Sequence, residues 1–417
     1  MQLDASRPGI GRPLDGVRVL AIEQMQALPF ATQLLAFLGA EVVKIEHPVH
    51  GESGRGSRPQ ITDRDGRRVG ATYLRNNLSK QSLGIDLKHP EGVALVKRLL
   101  PHFDVLAENF KADTMERLGL GYAALSEAHP RLVYVSISGF GHGPTPYADW
   151  PAYAPIVEAM AGLYEPNRKP GEPPPVVVAG ALGDNASALY AAIGTLAALR
   201  QRDVTGRGQH VDIAMFDAMV AMTDMVPFMW SVGEPPSAAT AGRTGIVGAF
   251  RAADGYFVMA IFREHQFEAL ARLLGHEGWL DDPRFATREG WAEYRESVVR
   301  PALEAWASER GKLEVCATLC GIDIPAGPSN VAEDLVRDPH VANRDMLVEV
   351  PRPDADRPML VVGNPVKLSA ASDGPITRYP SLGEHTEQVL QDTLGLEREE
   401  LDALAEAGVI SAPGESA

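Results

Sequence analysis

The stretch Gly16–Ile45, GVRVLAIEQMQALPFATQLLAFLGAEVVKI, decides the fold. Gly16–Ile22 is a run of β-branched and apolar residues that reads as a buried strand. Pro29–Leu38 carries apolar residues at helical spacing, and Glu41–Ile45 is again strand-like. Strand, helix and strand in this order open a βαβ unit, whose two strands run parallel.

The same alternation continues outward. Glu91–Phe103 has helical spacing, Asp104–Ala107 is a short strand, and Arg131–Ile137 (RLVYVSI) is the continuous apolar run of a strand buried on both faces. These elements predict an α/β fold with a Rossmann-like, doubly wound parallel sheet. A proline-rich stretch, Pro170–Pro175, reads as a surface connection before a long helix from near Asp184 to about Gln201. The turn Thr205–Gln209 launches a strand, His210–Ala214, and a Met-rich helical stretch runs on to about Trp230.

Beyond a linker at Gly233–Gly242, Phe250–Ile261 reads as a hairpin turned at Asp254-Gly255, with amphipathic helices at His265–Leu274 and Trp291–Ser308. This is a smaller, inserted α+β domain. After Pro325, short strands (Met346–Val350, Met359–Val362) and a helix around Glu387–Leu394 are expected to pack back on the first domain. The expected division is a large domain from 13–230, a small one from 231–325, and a returning segment from 326–417.

Composition narrows the function. The chain has 417 residues, 45% hydrophobic and 23% charged, which supplies large cores and excludes disorder. Its net charge of −16 offers no basic field for a nucleic-acid backbone. The two cysteines, Cys316 and Cys320, are spaced for one helix face rather than a disulfide loop or metal knuckle, which points to a reducing, cytoplasmic compartment. Met1–Arg12 lacks the apolar core of a signal peptide, and the longest apolar stretches, such as Ala186–Leu199, fall short of a membrane span. A soluble protein without a membrane partner is expected.

The chain has no GxxxxGK[ST] phosphate loop, no GxSxG elbow and no HExxH helix. The segment Gly139-Phe-Gly-His-Gly-Pro144 lacks the third glycine of a dinucleotide fingerprint. Eleven histidines are scattered without ligand spacing, so no metal is expected. One feature stands out: Gly183-Asp184 directly precedes the small and apolar residues of a buried helix. There the dipole and free backbone N–H groups would stabilise a carboxylate, and the glycine would allow close approach by another molecule. The same position also suits an ordinary N-cap aspartate.

Read together, Pro13-Leu-Asp-Gly-Val-Arg-Val-Leu20, Leu38-Gly-Ala-Glu-Val-Val-Lys-Ile-Glu46, Asp86-Leu-Lys-His-Pro-Glu-Gly92, Glu108-Asn-Phe110 and Ser138-Gly-Phe-Gly141 resemble the type III CoA-transferases. This is the CaiB/BaiF-like group that includes formyl-CoA transferase and carnitine CoA-transferase. Gly183-Asp184, Thr205–Gln209, Met215-Phe-Asp-Ala218, Ile324-Pro-Ala-Gly-Pro328 and Leu382-Gly-Glu-His-Thr386 continue the resemblance in order and spacing, from Pro13 to Ile410.

The resemblance implies an acyl-CoA:carboxylate CoA-transferase in which Asp184 is the nucleophile and Gln26 hydrogen-bonds the developing oxyanion. It implies that Asn109, Phe110, Met25 and Tyr153 line the CoA cleft, that Met215 lies near the nucleophile, and that Lys88 and Arg117 serve the adenosine and phosphate end. Taken singly, Gln26 also suits a polar residue leading a helix, and Lys88 and Arg117 suit solvated surface charges. His47 stands where relatives carry an arginine near the nucleotide, Pro151 replaces a basic residue, and Arg75 or Lys80 are alternative charges for CoA. The glycine-rich loop of formyl-transferring members is reduced here to Gly242, Gly245 and Gly248. Coenzyme A and acyl-CoA are implied as substrates, with no permanently bound cofactor, and the quaternary form implied is an interlocked, ring-like homodimer. An α-methylacyl-CoA racemase is the main alternative, although its histidine slot falls at Asp149-Trp150, where no histidine stands. A non-catalytic CoA-binding protein is the third reading.

Overall fold

The computed structural model describes residues 11–169, 171–177, 180–224, 226–233 and 244–412. Residues 234–242 of the expected linker, with Gly242, lie outside them. Contacts divide the chain into two compact units, one of residues 1–164, 176–224 and 343–417, the other of 165–175 and 225–342.

Up to residue 224, the strands of the first unit are β1 (Arg18–Ile22), β2 (Glu41–Glu46), β3 (Gln60–Thr62), β4 (Arg68–Gly70), β5 (Gln81–Gly84), β6 (Val105–Glu108), β7 (Val133–Ser138) and β8 (His210–Ala214). Six of them form one sheet in the order β5-β2-β1-β6-β7-β8, and every pairing is parallel. The strands and the first helix read from Gly16 to Ile137 stand within two residues of their expected places, and the helix expected over Glu91–Phe103 ends at Leu99, where Leu100–His102 tightens into a 3-10 turn at Pro101. Intervening helices are α1 (Ala27–Phe37), α2 (Ala71–Asn76), α3 (Pro90–Leu99), α4 (Thr114–Arg117), α5 (Tyr122–Ala128), α6 (Ala154–Met160), α7 (Leu182–Thr205) and α8 (Met215–Met222).

Strand residues alternate between two cores because successive side chains point to opposite faces. Val19, Ala21, Val105, Val133 and Val135 join α1, α7 and α8 on one side. Leu20, Ile22, Leu83, Leu106 and Tyr134 join Leu95 and Leu99 of α3 on the other. Burying each such Leu or Val stabilises the fold by about 1.5–3 kcal/mol. A sheet buried on both faces favours apolar residues, which is why its central strands β1 and β7 read as nearly unbroken runs.

The chain moves outward from β1 to β2 and β5, then crosses back to β6 on the other side of β1. The switch point therefore lies between the carboxyl ends of β1 and β6, where Ile22 stands opposite Glu108. Connections leaving there diverge and open a crevice, the general position of ligands in open parallel sheets.

The second unit contains α9 (Val226–Ser231), β9 (Ile246–Ala252), β10 (Gly255–Ile261), α10 (Glu264–Leu274), α11 (Arg288–Glu293), α12 (Arg300–Ala307), α13 (Lys312–Gly321), β11 (Ala326–Pro328) and α14 (Ala332–Arg337). Its three-stranded antiparallel sheet packs on Phe267, Trp279, Phe285 and Trp291. The hairpin is one residue off the expectation: Gly255 pairs with Ala252, so the turn is Ala253-Asp254. The single helix expected over Trp291–Ser308 is broken by a π-turn at Arg295–Val299 just before Pro301, which lacks the N–H a continuous helix would use.

After α15 (Pro339–Asn343), β12 (Leu347–Arg352) and β13 (Ala355–Val362) pair as a hairpin on Phe37 and Leu78. Helices α16 (Thr386–Leu394) and α17 (Arg398–Glu406) enter the core beside α3.

Candidate active site

A cleft of about 500 Å³ opens at the switch point. Its walls come from the segment after β1 (Gln24–Ala27), the segment after β6 (Asn109–Ala112), the segment after β7 (Ser138–Gly141 and Trp150–Tyr153), Asp184 of α7 and Met215 of α8. Of the residues singled out by resemblance, Met25, Gln26, Asn109, Phe110, Tyr153, Asp184 and Met215 share this cleft.

The two loops of the switch point are tied together. Asn109 accepts the Gln24 N–H through Oδ1 and donates Nδ2 to the Gln24 carbonyl, both at 2.9 Å. Glu108 accepts the Phe110 N–H at 2.9 Å, which turns the chain away from the sheet. Met25 takes a left-handed conformation, φ 61°, costly for a residue with a Cβ, and its N–H is held by Glu52 at 2.9 Å. Behind it lies a closed set of buried charges: Lys80 pairs with Glu23 at 2.7 Å, and Lys44 with Glu52 at 3.4 Å and Glu23 at 3.8 Å.

The Met25 turn aims Gln26 into the cleft. Arg75 donates to Gln26 Oε1, and Gln26 Nε2 donates to Asn185 Oδ1 at 3.0 Å. The guanidinium can only donate, so it fixes the amide orientation. One of the two Nε2 hydrogens is left for a ligand.

Asp184 is not an N-cap. It is the third residue of α7, behind Ala181 at φ 40°, which makes no side-chain cap bond. Nor is its carboxylate held by the helix N-terminus, as the sequence suggested. The Gly183 N–H goes instead to Glu158 Oε1 at 2.8 Å. Burial pushes the Asp184 carboxyl up to about 6, Glu158 pushes the same way, and Arg75 opposes. Gly183 does permit close approach, but by the protein itself: a Cβ there would meet Ala154 Cα at 3.0 Å.

The remaining candidates stand elsewhere. His47 stacks on His50, and its Nδ1 accepts the Val49 N–H at 3.2 Å as a turn cap. Lys88 is exposed, with its backbone N–H on Asp86, and Arg117 is exposed, donating to Thr114. None of the three lines the cleft. Arg75 lies outside the lining but acts on it through Gln26. Lys80 is overturned as a charge for CoA: its Nζ is buried and spent on Glu23, Pro29 O and Asn77 Oδ1. Among the described residues Lys111 is the sole cation of the lining, and its Nζ donates to Asp149 O at 2.8 Å. The sequence reading passed it over as one lysine among many; its place two residues past Asn109 was the available signal.

The histidines scattered in sequence are not all scattered in space. His142, His210 and Asp212 bring their ligand atoms within 4.8 Å of one another. Those atoms already serve each other and Ser136: His142 Nδ1 lies 3.0 Å from Asp212, and His210 Nε2 lies 2.7 Å from Ser136. His142 is outside the cleft lining. Among the described residues no helix is long and apolar enough to cross a membrane.

The parallel sheet with a crevice at its switch point, lined by the Asp184 carboxylate and the Gln26 amide, defines an α/β protein with a candidate active site. The family model of CoA-transferase family III matches residues 14–386, and the chain belongs to that family. It is 35% identical to succinyl-CoA–D-citramalate CoA-transferase of Chloroflexus aurantiacus, over 96% of this chain and 98% of that protein. It is 34% identical to succinyl-CoA:mesaconate CoA-transferase of Haloarcula marismortui, over 91% and 96%. A crystal structure of a CaiB/BaiF family protein from Brucella suis superposes with a TM-score of 0.81 at 31% identity, covering 92% of this chain and all of that one.

Proposed function

We propose that this CoA-transferase moves CoA from an acyl-CoA to a free carboxylic acid by covalent chemistry on Asp184. A carboxylate oxygen of Asp184 attacks the thioester carbonyl, the C–S bond breaks, and CoA leaves as thiolate. The mixed anhydride so formed is attacked by the thiolate at the Asp184 γ-carbon, which releases the donor acid and leaves an aspartyl-CoA thioester. The acceptor carboxylate then attacks that γ-carbon and expels the thiolate, which takes the acceptor acyl group and frees Asp184. Each intermediate carries one activated acyl bond, first as mixed anhydride and then as aspartyl thioester, so the thioester's free energy is kept provided water is excluded.

The observation that carries this reading is the Asp184 carboxylate on the cleft wall, its carboxyl raised to about 6. A more basic carboxylate is the better nucleophile, and near neutral pH it is still ionised. The free Nε2 hydrogen of Gln26 suits the oxyanion that forms on the attacked carbonyl. Lys111 and the exposed rings of Trp150 and Tyr153 at the rim suit an anionic, nucleotide-bearing substrate, with Met25, Asn109 and Phe110 along its path. His47, Arg75, Lys88 and Arg117 then act on CoA at most from outside the cleft. The relatives' names make succinyl-CoA the first donor to try, with small dicarboxylic acids as acceptors.

An interlocked homodimer fits one further feature. On α7, Leu182, Leu189, Ile193 and Leu196 lie along one face and are 37–61% exposed in the single chain, an apolar stripe that a second copy would cover. A soluble, cytoplasmic setting agrees with the free thiols.

The test is a donor and acceptor screen followed by mass spectrometry, with hydroxylamine trapping of donor-treated enzyme. Transfer of CoA and modification of the Asp184 peptide are expected. Transfer with label only elsewhere would refute Asp184 as nucleophile. Incubating a chiral 2-methylacyl-CoA in deuterated water should give no α-deuterium. Rapid α-exchange without CoA transfer would establish the racemase reading.

A further inference from the structure

Glu158 projects from α6 and is 2% exposed. No cation forms an ion pair with it among the described residues. Its two oxygens are engaged by different partners: Oε1 takes the Gly183 N–H at 2.8 Å, and Oε2 takes the hydroxyl of buried Tyr164. The first contact has an unusual consequence. Gly183 is the second residue of α7, so its N–H is one of the unpaired donors that make a helix N-terminus attractive to an anion. Glu158 consumes that donor and brings a second carboxylate beside Asp184, one residue on.

The approach is built in rather than incidental. A Cβ on Gly183 would meet Ala154 Cα at 3.0 Å and Val157 Cγ2 at 3.1 Å, so α6 and α7 approach this closely only because the residue is glycine. The charge that opposes Glu158 at Asp184 is Arg75, already engaged with Gln26.

We infer that Glu158 is a positioning residue for the transfer reaction: it takes up the free Gly183 N–H next to Asp184 at the start of α7 and sets its own negative charge beside the Asp184 carboxylate, which keeps that carboxylate reactive. This rests on Asp184 being the nucleophile. The groups facing the pair are Arg75 from α2, Tyr164 from the segment after α6, and the neutral Gln26 and Asn185. Burial is the largest cause of the raised Asp184 carboxyl and Glu158 the next, so removing the Glu158 charge recovers part of the shift.

The test compares charge with shape. Glu158→Gln retains an oxygen for Gly183 and lacks the charge. Its acid limb in the kcat profile is expected to move down by about half a pH unit to one unit, with turnover at neutral pH lowered several-fold. Glu158→Asp keeps the charge and should keep a raised limb, as should Tyr164→Phe. The substrate's phosphates titrate in the same range, so each variant is read against wild type with the same donor.

If Glu158→Gln does not fold, Glu158→Asn against Glu158→Asp supplies the same contrast of neutral with charged. An unmoved limb in the neutral variants, or an equal movement in Tyr164→Phe, overturns the assignment of Glu158. Hydroxylamine trapping on the wild type separates the two ideas: label on Asp184 with an unmoved limb refutes only Glu158, whereas absence of label there refutes the nucleophile reading beneath it.

Discussion

Two carboxylates near the carboxyl end of the same sheet are treated in opposite ways. Burial pushes Glu46 up, but Arg55 at 2.7 Å, with Lys44 and Ser82, outweighs it and takes the group down to about 2. Asp184 is also substantially buried, yet its neighbours are another carboxylate and one exposed arginine, and it stays near 6. The region around Glu46, Glu23, Lys44, Glu52 and Lys80 closes its charges in pairs and hydrogen bonds, which fixes the loop that aims Gln26. The region around Asp184 leaves a charge uncompensated, which favours reactivity over stability.

The largest expected effect breaks the open side. Asp184→Ala should lower CoA transfer by about 10³-fold or more, with the circular dichroism spectrum and CoA binding retained, because the nucleophile is lost and the cleft is not. Turnover near wild type would remove Asp184 from the chemistry.

Next comes the closed side. Lys80→Met takes from buried Glu23 its nearest cation, leaving Lys44 at 3.8 Å, and should cost up to about 3–5 kcal/mol in urea unfolding, the usual penalty for breaking a buried pair. A cost below about 1 kcal/mol would show that the network is not closed.

A smaller effect tests the sign of the difference. For Glu46, with its carboxyl lowered in the fold, the stabilisation is present above its unfolded value of 4.5 and is lost as pH falls toward 2. For Asp184, with its carboxyl raised, the charged form opposes folding, so its penalty is absent below 3.8 and complete above about 6. Asp184→Asn should therefore be more stable than wild type at pH 8 by roughly 1–2 kcal/mol, allowing for solvent screening, and the gain should vanish below pH 4 in thermal melts. A gain independent of pH would assign it to packing.

The smallest effect concerns charges outside the cleft. Lys88→Ala and Arg117→Ala should raise KM for the acyl-CoA by no more than about threefold, and less at higher salt, as befits exposed charges. A loss of tenfold or more in saturation kinetics would bring them into the binding site.

The centre of the sheet was legible because burial on both faces demands apolar runs, and Arg131–Ile137, which supplies β7, could be little else. Strand β5 was not. Gln81-Ser-Leu-Gly84 has no apolar run to mark it, yet Ser82 is buried and donates to Glu46 at 2.8 Å, so a polar residue serves the core through a partner distant in sequence. The C-terminal helix α17 was likewise missed, because Arg398–Glu406 is mostly charged and buries Leu401 against a core set elsewhere. At the site, the resemblance supplied the residues that share the cleft but could not supply their protonation. Asp184 looks like an anion welcomed by a helix N-terminus until Glu158, 26 positions earlier in the chain, is seen to hold the Gly183 N–H.

The outer edge of β5 carries a consequence for how the chain is made. Its neighbours on that side are His385, Thr386 and Ile410, and the bond from the Gly84 N–H to Thr386 joins residues 302 positions apart. At roughly 5–20 residues per second, a ribosome leaves this edge uncovered for roughly 15–60 s after β5 emerges. A sheet edge open for that long is a template for pairing with other nascent chains. Shortening the C-terminus before Thr386 should therefore act first on yield, sending the protein to inclusion bodies, even though the cleft lies elsewhere.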